Sequence, residues 1–274
     1  MSRASSTFRA ATVRERSFGR LLTRAARIAS YSRRVALCLL LCALAAEAAE
    51  SGALKGCVKY KGDPPPPQVT KLEGHHRTDC QCEEIVSEAL VVDKATRGIR
   101  WAIVRIMDAG PAGTDSQSRP RSGLVSVPAV MDQIKCTFVP HVIIVTPGTE
   151  LTVLNSDKIP HNVHTVPLDG LNTPVNRMMA ATDEKLVLKG RCLSEPELIQ
   201  VQCDIHTWMR AYLVVHDPRR AALSNSDGTF EIKDLPAGKH KVSVFQETLG
   251  EQNLEVEIKA VQTTDVGEIV FKAK

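Results

Sequence analysis

Aromatic residues are scarce in this chain: six Phe, three Tyr and two Trp among 274 positions, or 4%. That scarcity argues against the aromatic-lined faces that stack sugars or nucleic-acid bases. The apolar run from Val35 to Ala46 has only 12 residues, where a membrane-spanning helix needs about 20. No sustained helical period follows it. The formal charge of +4 is not a basic surplus of the whole chain. Residues 1–46 hold nine Arg and one acid, Glu15, and the remainder carries 26 basic and 30 acidic side chains, a net of −4. Nucleic-acid binding thereby loses its main support. Hydrolase signatures of the G-x-S-x-G or H-E-x-x-H type are missing as well.

What is present begins with an Arg-rich start. Arg33-Arg34 precede the apolar run, and Ala43-Leu44-Ala45 or Ala46-Glu47-Ala48 would suit a signal peptidase. Residues 1–48 are therefore expected to be a leader, with a twin-arginine route or an organelle transit peptide as alternatives. Export to a periplasm or out of the cell is the expectation, with no stable membrane span in the mature chain. Of eight cysteines, Cys38 and Cys42 would leave with the leader, and Cys57, Cys80, Cys82, Cys136, Cys192 and Cys203 remain. A bridge from Cys80 or Cys82 to Cys136 is preferred on position alone.

The mature chain is a string of short β-type runs broken by Gly, Pro, Asn and Asp. Examples are Ala89–Val92, Trp101–Ile106, Val142–Val145, Leu151–Leu154, Leu186–Leu188, Leu198–Val201 and Tyr212–Val215. Residues 108–122, rich in Gly, Ser, Pro and Arg, read as a surface loop. The fold class expected is all-β, with a first domain over 49–216 and a small β unit over 217–274. In the latter, Asp227-Gly228 supplies a tight turn before Thr229–Ile232, and Leu254–Ile258 and Glu268–Phe271 supply later strands.

One stretch carries chemistry. Cys203-Asp204-Ile205-His206-Thr207-Trp208-Met209 places a thiol, an imidazole and a thioether in seven residues at the end of a strand. Upstream, Pro160-His161-Asn162-Val163-His164 offers more imidazole. Cysteine, two histidines and methionine form the ligand set of a blue-copper site. His161 and His164 lie three apart and so face opposite sides of a strand; only one is expected at the metal. His141 is read as a structural histidine. His75, His76, Cys80 and Cys82 form a second cluster that fits no zinc spacing, so a disulfide with exposed histidines is preferred there.

Residues 136–215 resemble the cupredoxin family, at its amicyanin-like end, through P-H-N-V-H at 160–164 and C-x-x-H-x-x-M at 203–209. The resemblance implies a Greek-key β-sandwich holding one type 1 copper ion. His161, Cys203, His206 and Met209 would be its ligands, with Met209 axial. It implies an electron carrier rather than an enzyme, docking a redox partner protein near Trp208 and an exposed His206. Asp204 and Thr207 depart from the family pattern: Asp204 sets a carboxylate beside the thiolate, and Thr207 replaces a frequent Pro. The pattern DG-x-F-x-I-x-x-LP-x-G from Asp227 to Gly238 resembles the carboxypeptidase regulatory-like (transthyretin-like) β module. Rival readings are a copper carrier or store, and a non-metal adhesion or carbohydrate-binding module. A Cys192–Cys203 bridge would leave a cupredoxin fold without a metal site.

Overall fold

The computed structural model describes residues 51–108, 129–181 and 184–273. The expected leader and most of the expected 108–122 loop lie outside the described residues. The regular structure of the described chain is almost all strand, as alternating apolar patterns require. No described helix is long and apolar enough to cross a membrane.

Residues 129–215 form one sandwich. A four-stranded sheet runs in the order Glu184–Leu188, Leu151–Asn155, Ala129–Ile134, Thr137–Val139. A five-stranded sheet runs Asn176–Met179, His161–Pro167, Glu197–Gln202, Arg210–Val215, Val142–Val145. Their inner faces share one core with Met131, Phe138, Leu151, Val153, Val163, Ile199, Val201 and Leu213. Leu151 and Val153, both fully buried, each contribute about 1.5–3 kcal/mol by leaving water. The Arg210–Val215 strand is buried on both faces. Ala211, Leu213 and Val215 enter that core, while Tyr212 and Val214 join Val142, Leu198, Ile103 and Ala221 on the other side. Period-two alternation with apolar residues at both phases is what reads in sequence as a continuous apolar run.

The remaining strands group differently from a linear division at 216/217. Ser51–Tyr60 lies between Thr229–Pro236 and Thr263–Phe271. Ile103–Ile106 lies between Ala221–Leu223 and Gly238–Gln246, with Gly250–Ile258 at the edge. Their core gathers Leu54, Val58, Val104, Phe230, Ile232, Val242, Val244 and Phe271. Sequence patterning marks a strand but does not name its partner, so two strands assigned to the 49–216 domain share sheets with the C-terminal ones. The sandwich of 129–215 is thus inserted between two strands that pair with each other, Ile103–Ile106 and Ala221–Leu223.

A third element is a hairpin, Val69–Lys71 with Glu84–Val86, whose tip carries the short helix His75–Asp79. The bridge at this tip is Cys80–Cys136; Cys57, Cys82, Cys192 and Cys203 are free thiols.

At Asp227-Gly228 the turn needs glycine twice over. Gly228 has φ +87°, and a Cβ there would lie 2.3 Å from the Val58 carbonyl oxygen. Gly267 has φ +69° but opens onto free space. Gly228→Ala should cost more than about 3 kcal/mol of unfolding free energy, and Gly267→Ala about 1 kcal/mol, since left-handed strain alone costs about 1–2 kcal/mol. Urea denaturation of the two variants measures the difference.

Candidate metal centre

Two strand ends and one short loop build the site. The strand Glu197–Gln202 ends at Cys203, and the chain turns through Asp204 to Met209 before Arg210–Val215 returns. The turn closes on itself. Cys203 N–H donates to the Met209 carbonyl at 3.3 Å, and Met209 N–H to the His206 carbonyl at 2.8 Å. His206 N–H points at Cys203 Sγ at 3.4 Å. Thr207 is exposed, so the closure does not depend on a proline there. On the other side, buried Asn155 shapes the turn that delivers His161. Its Nδ2 donates to the Ile159 carbonyl at 2.9 Å, and its Oδ1 accepts Asp157 N–H at 3.2 Å.

These elements bring His161, Cys203 and His206 to one point. His161 Nδ1 lies 2.9 Å from His206 Nδ1, and Cys203 Sγ lies 3.8 Å from the same atom. One ligand atom from each of the three falls within 4.8 Å of the others. Metal bonds of about 2.0–2.1 Å to nitrogen and about 2.3 Å to sulfur put two nitrogens on one ion about 3–3.5 Å apart, and nitrogen and sulfur about 3.5–4 Å. The spacing therefore fits a shared ion. His161, Cys203 and His206 are 0%, 2% and 3% exposed, so water is shut out. Met209 is buried in the same core cluster as Cys203.

The protonation chemistry also fits. His161 Nε2 lies 2.9 Å from Asp157 Oδ2, and that carboxylate accepts the N–H groups of Lys135 and Cys136 at 2.6 and 2.8 Å. A proton held on Nε2 leaves the Nδ1 lone pair facing His206 and Cys203. Burial alone would raise the Cys203 thiol. Hydrogen bonds from His161, His206 and the N–H groups of Asn162 and His206 outweigh it and hold the pKa down at about 5. Burial likewise disfavours charged His161, yet the Asp157 and Cys203 hydrogen bonds raise its pKa. A cation at this point would displace a proton from His161 Nδ1, so protons and metal compete for the site.

Asp204 turns away from the sulfur. Its carboxylate accepts from Asn162 Nδ2 (2.9 Å), Asn176 Nδ2 (3.0 Å) and Gln202 Nε2 (3.2 Å), and pairs with His164 Nδ1 (3.0 Å). The His164 contact and these amide donors pull its pKa to about 2. His164 thus sits on the opposite face from His161, occupied by Asp204. His141 pairs with Glu247. Met179 is buried and accepts from Gln133 Nε2 at 3.2 Å, while Met178 is 56% exposed.

His206 departs from expectation, because it is buried rather than exposed. His76 packs against it edge-on at 5.5 Å, and Trp208 flanks both rings at 5.3 Å. His76 is accordingly half-buried, while His75 is exposed. Two residues of this site, Asp157 and Asn162, carry no assigned role in the sequence, and a third, His76, is read there as an exposed histidine but is half-buried. Asp157 has a usable signal, being a carboxylate four residues before a histidine at a turn. Nothing local marks His76, whose contact spans 130 positions.

The metal-free protein should show one thiol titrating near pH 5. The absorbance difference between wild type and Cys203→Ser measures it, since burial pushes Cys57 and Cys82 upward. Because the folded value lies below the unfolded one, this thiolate stabilises fully above the unfolded thiol pKa, and the gain is lost as pH falls through about 5. A midpoint above about 8, in the range of an unperturbed thiol, would show that the two imidazoles do not hold the sulfur.

No family model and no curated protein matches this chain. Among solved structures it is similar to a Cu-containing nitrite reductase from Thermus scotoductus SA-01, at 19% identity and a TM-score of 0.30. That match covers 34% of this chain and spans 23% of that protein. It is similar to a purple cupredoxin from Nitrosopumilus maritimus at 18% identity and a TM-score of 0.26, covering 31% of this chain and 97% of that one. It is also similar to a Cu(I) form of an amicyanin mutant at 21% identity and a TM-score of 0.28, covering 40% of this chain and 96% of that one.

Proposed function

We propose that the chain is an exported type 1 copper protein that carries single electrons between partner proteins. The convergence of His161 Nδ1, His206 Nδ1 and Cys203 Sγ in a buried core supports this reading. Bound there, copper would supply one-electron exchange between its two oxidation states. Cys203 would provide the thiolate, His161 and His206 the nitrogens, and Met209 a weaker thioether sulfur. Asp157 orients His161, and Asn162 ties Asp204 away from Cys203. The buried ligands, fixed by two strands and a self-closed loop, limit movement when the charge of the site changes. No bond-changing step is assigned to the chain. The second sandwich acts as a transthyretin-like scaffold. The Cys80–Cys136 disulfide fits a periplasmic or extracellular setting.

Burial of His206 favours a second reading, retention of copper without electron traffic. A reversible potential separates the two. Adding Cu(II) to the purified protein should produce an intense blue thiolate-to-copper band. Cys203→Ser should abolish it, and a colourless wild-type protein with a free Cys203 thiol would overturn the reading. Met209→Leu should keep the colour and raise the potential. Asp157→Asn should weaken copper binding about 10–100-fold, measured by competition with a chelator.

A further inference from the structure

The sandwich leaves one side of the centre to be covered by something outside it. Two rings stand over His206: Trp208, from its own loop, and His76, from the helix His75–Asp79 at the tip of the 68–87 hairpin. His76 meets both rings nearly perpendicular, at 77° to His206 and 89° to Trp208. Its Nδ1 is buried with no hydrogen-bond partner among the described residues.

The hairpin is held in an unusual way. Its strand ladder, the Leu72 N–H to Glu83 carbonyl bond and the Ser87 N–H to Gln68 carbonyl bond are all internal. So are the Arg77–Glu83 and Thr78–His75 contacts. Among the described residues, no hydrogen bond or ion pair joins residues 68–87 to the sandwich. What joins them is apolar contact through Leu72, Cys80, Cys82 and Ile85, ring contact through His76, and one covalent bond, Cys80–Cys136. That bond lies over the centre, since both of its sulfurs fall within 4.8 Å of a His206 ring nitrogen. Cys136 is also fixed to the site through its own backbone. Its N–H donates to Asp157, and its carbonyl accepts Trp208 Nε1.

From this arrangement we infer that the hairpin is a lid on the metal centre, seated by His76 and tethered by Cys80–Cys136. The inference rests on His161, Cys203 and His206 forming that centre. A segment held by few buried contacts and no hydrogen bonds opens at low free energy unless a covalent link restricts it. The lid sets access for what must reach the ligands: an incoming copper ion, a chelator, or a small thiol reagent. It also places the His75–His76 strap, rather than His206, on the surface that a partner would meet.

Thiol labelling of the metal-free protein with iodoacetamide, read by mass spectrometry at each cysteine, tests the lid without copper. Cys80→Ser/Cys136→Ser should raise the labelling rate of Cys203 about tenfold or more by populating the open state. Cys57 and Cys192, far from the lid in sequence and both part-exposed, should stay near their wild-type rates. His76→Ala should give a smaller rise confined to Cys203, and His76→Phe, which keeps a ring, should stay closed. Unchanged Cys203 labelling in both the double variant and His76→Ala would overturn the lid. If every thiol of the double variant reacts alike, the fold has loosened and the His76 pair decides: equal Cys203 rates in His76→Ala and His76→Phe overturn the proposal. Removal of Cu(I) by a chelator should accelerate in the same variants. A protein that binds no copper but shows the labelling pattern would overturn the metal reading and keep the lid.

Discussion

The register between His161–Pro167 and Glu197–Gln202 is the constraint on which the site depends. His164 pairs with Gln202 and Pro167 with Ile199, so His161 reaches past the end of the partner strand. There it stands opposite the 203–209 loop. A slip of one residue would turn every side chain to the other face, exchanging His161 for Pro160 or Asn162. The slip is resisted from both sides of the sheet. Val163 and Thr165 face inward and are buried, while His164 is held outside by Asp204. The carboxylate that in sequence stands as a charge beside the sulfur is therefore part of what fixes the alignment.

Charge is sorted across a single strand. Inward, Cys203 draws only N–H and imidazole donors, so its thiolate is stabilised without a carboxylate touching it. Outward, Asp204 collects two Asn side chains, a Gln side chain and His164. Asn162 serves both sides: its N–H approaches Cys203 Sγ, while its side chain accepts the Asp204 N–H and donates back to that carboxylate. Asp157 provides the equivalent support for His161, anchored in turn by the backbone beside the disulfide.

Much of this is legible from short-range pattern. The run Val142–Val145 matches its strand to the residue, and Leu151–Leu154 and Leu198–Val201 match theirs to within one at each end. Alternating β-branched residues bounded by turn formers leave little choice there. The meeting of His161 with Cys203 and His206 is readable because each stands at the end of an apolar strand. The placement of Ser51–Tyr60 is not, since its partners begin at Thr229 and Thr263 and backbone hydrogen bonding does not depend on side-chain identity. Burial of His206 is hidden for the same reason: its cover comes from a hairpin whose own sequence, polar and helical at the tip, reads as an exposed excursion.

Ser51–Tyr60 has a consequence for how the chain comes into being. It is the middle strand of its sheet, and its Cys57 contacts a turn 170 positions later. During synthesis its two sheet partners emerge far behind it, first Thr229–Pro236 and then Thr263–Phe271. Meanwhile residues 129–215 hold all the strands of their own two sheets and can close early. Loops this long make such pairings slow to form. The order of assembly is thus written into the topology: the sandwich that carries the site is able to take shape first, and the terminal strands seal the molecule behind it.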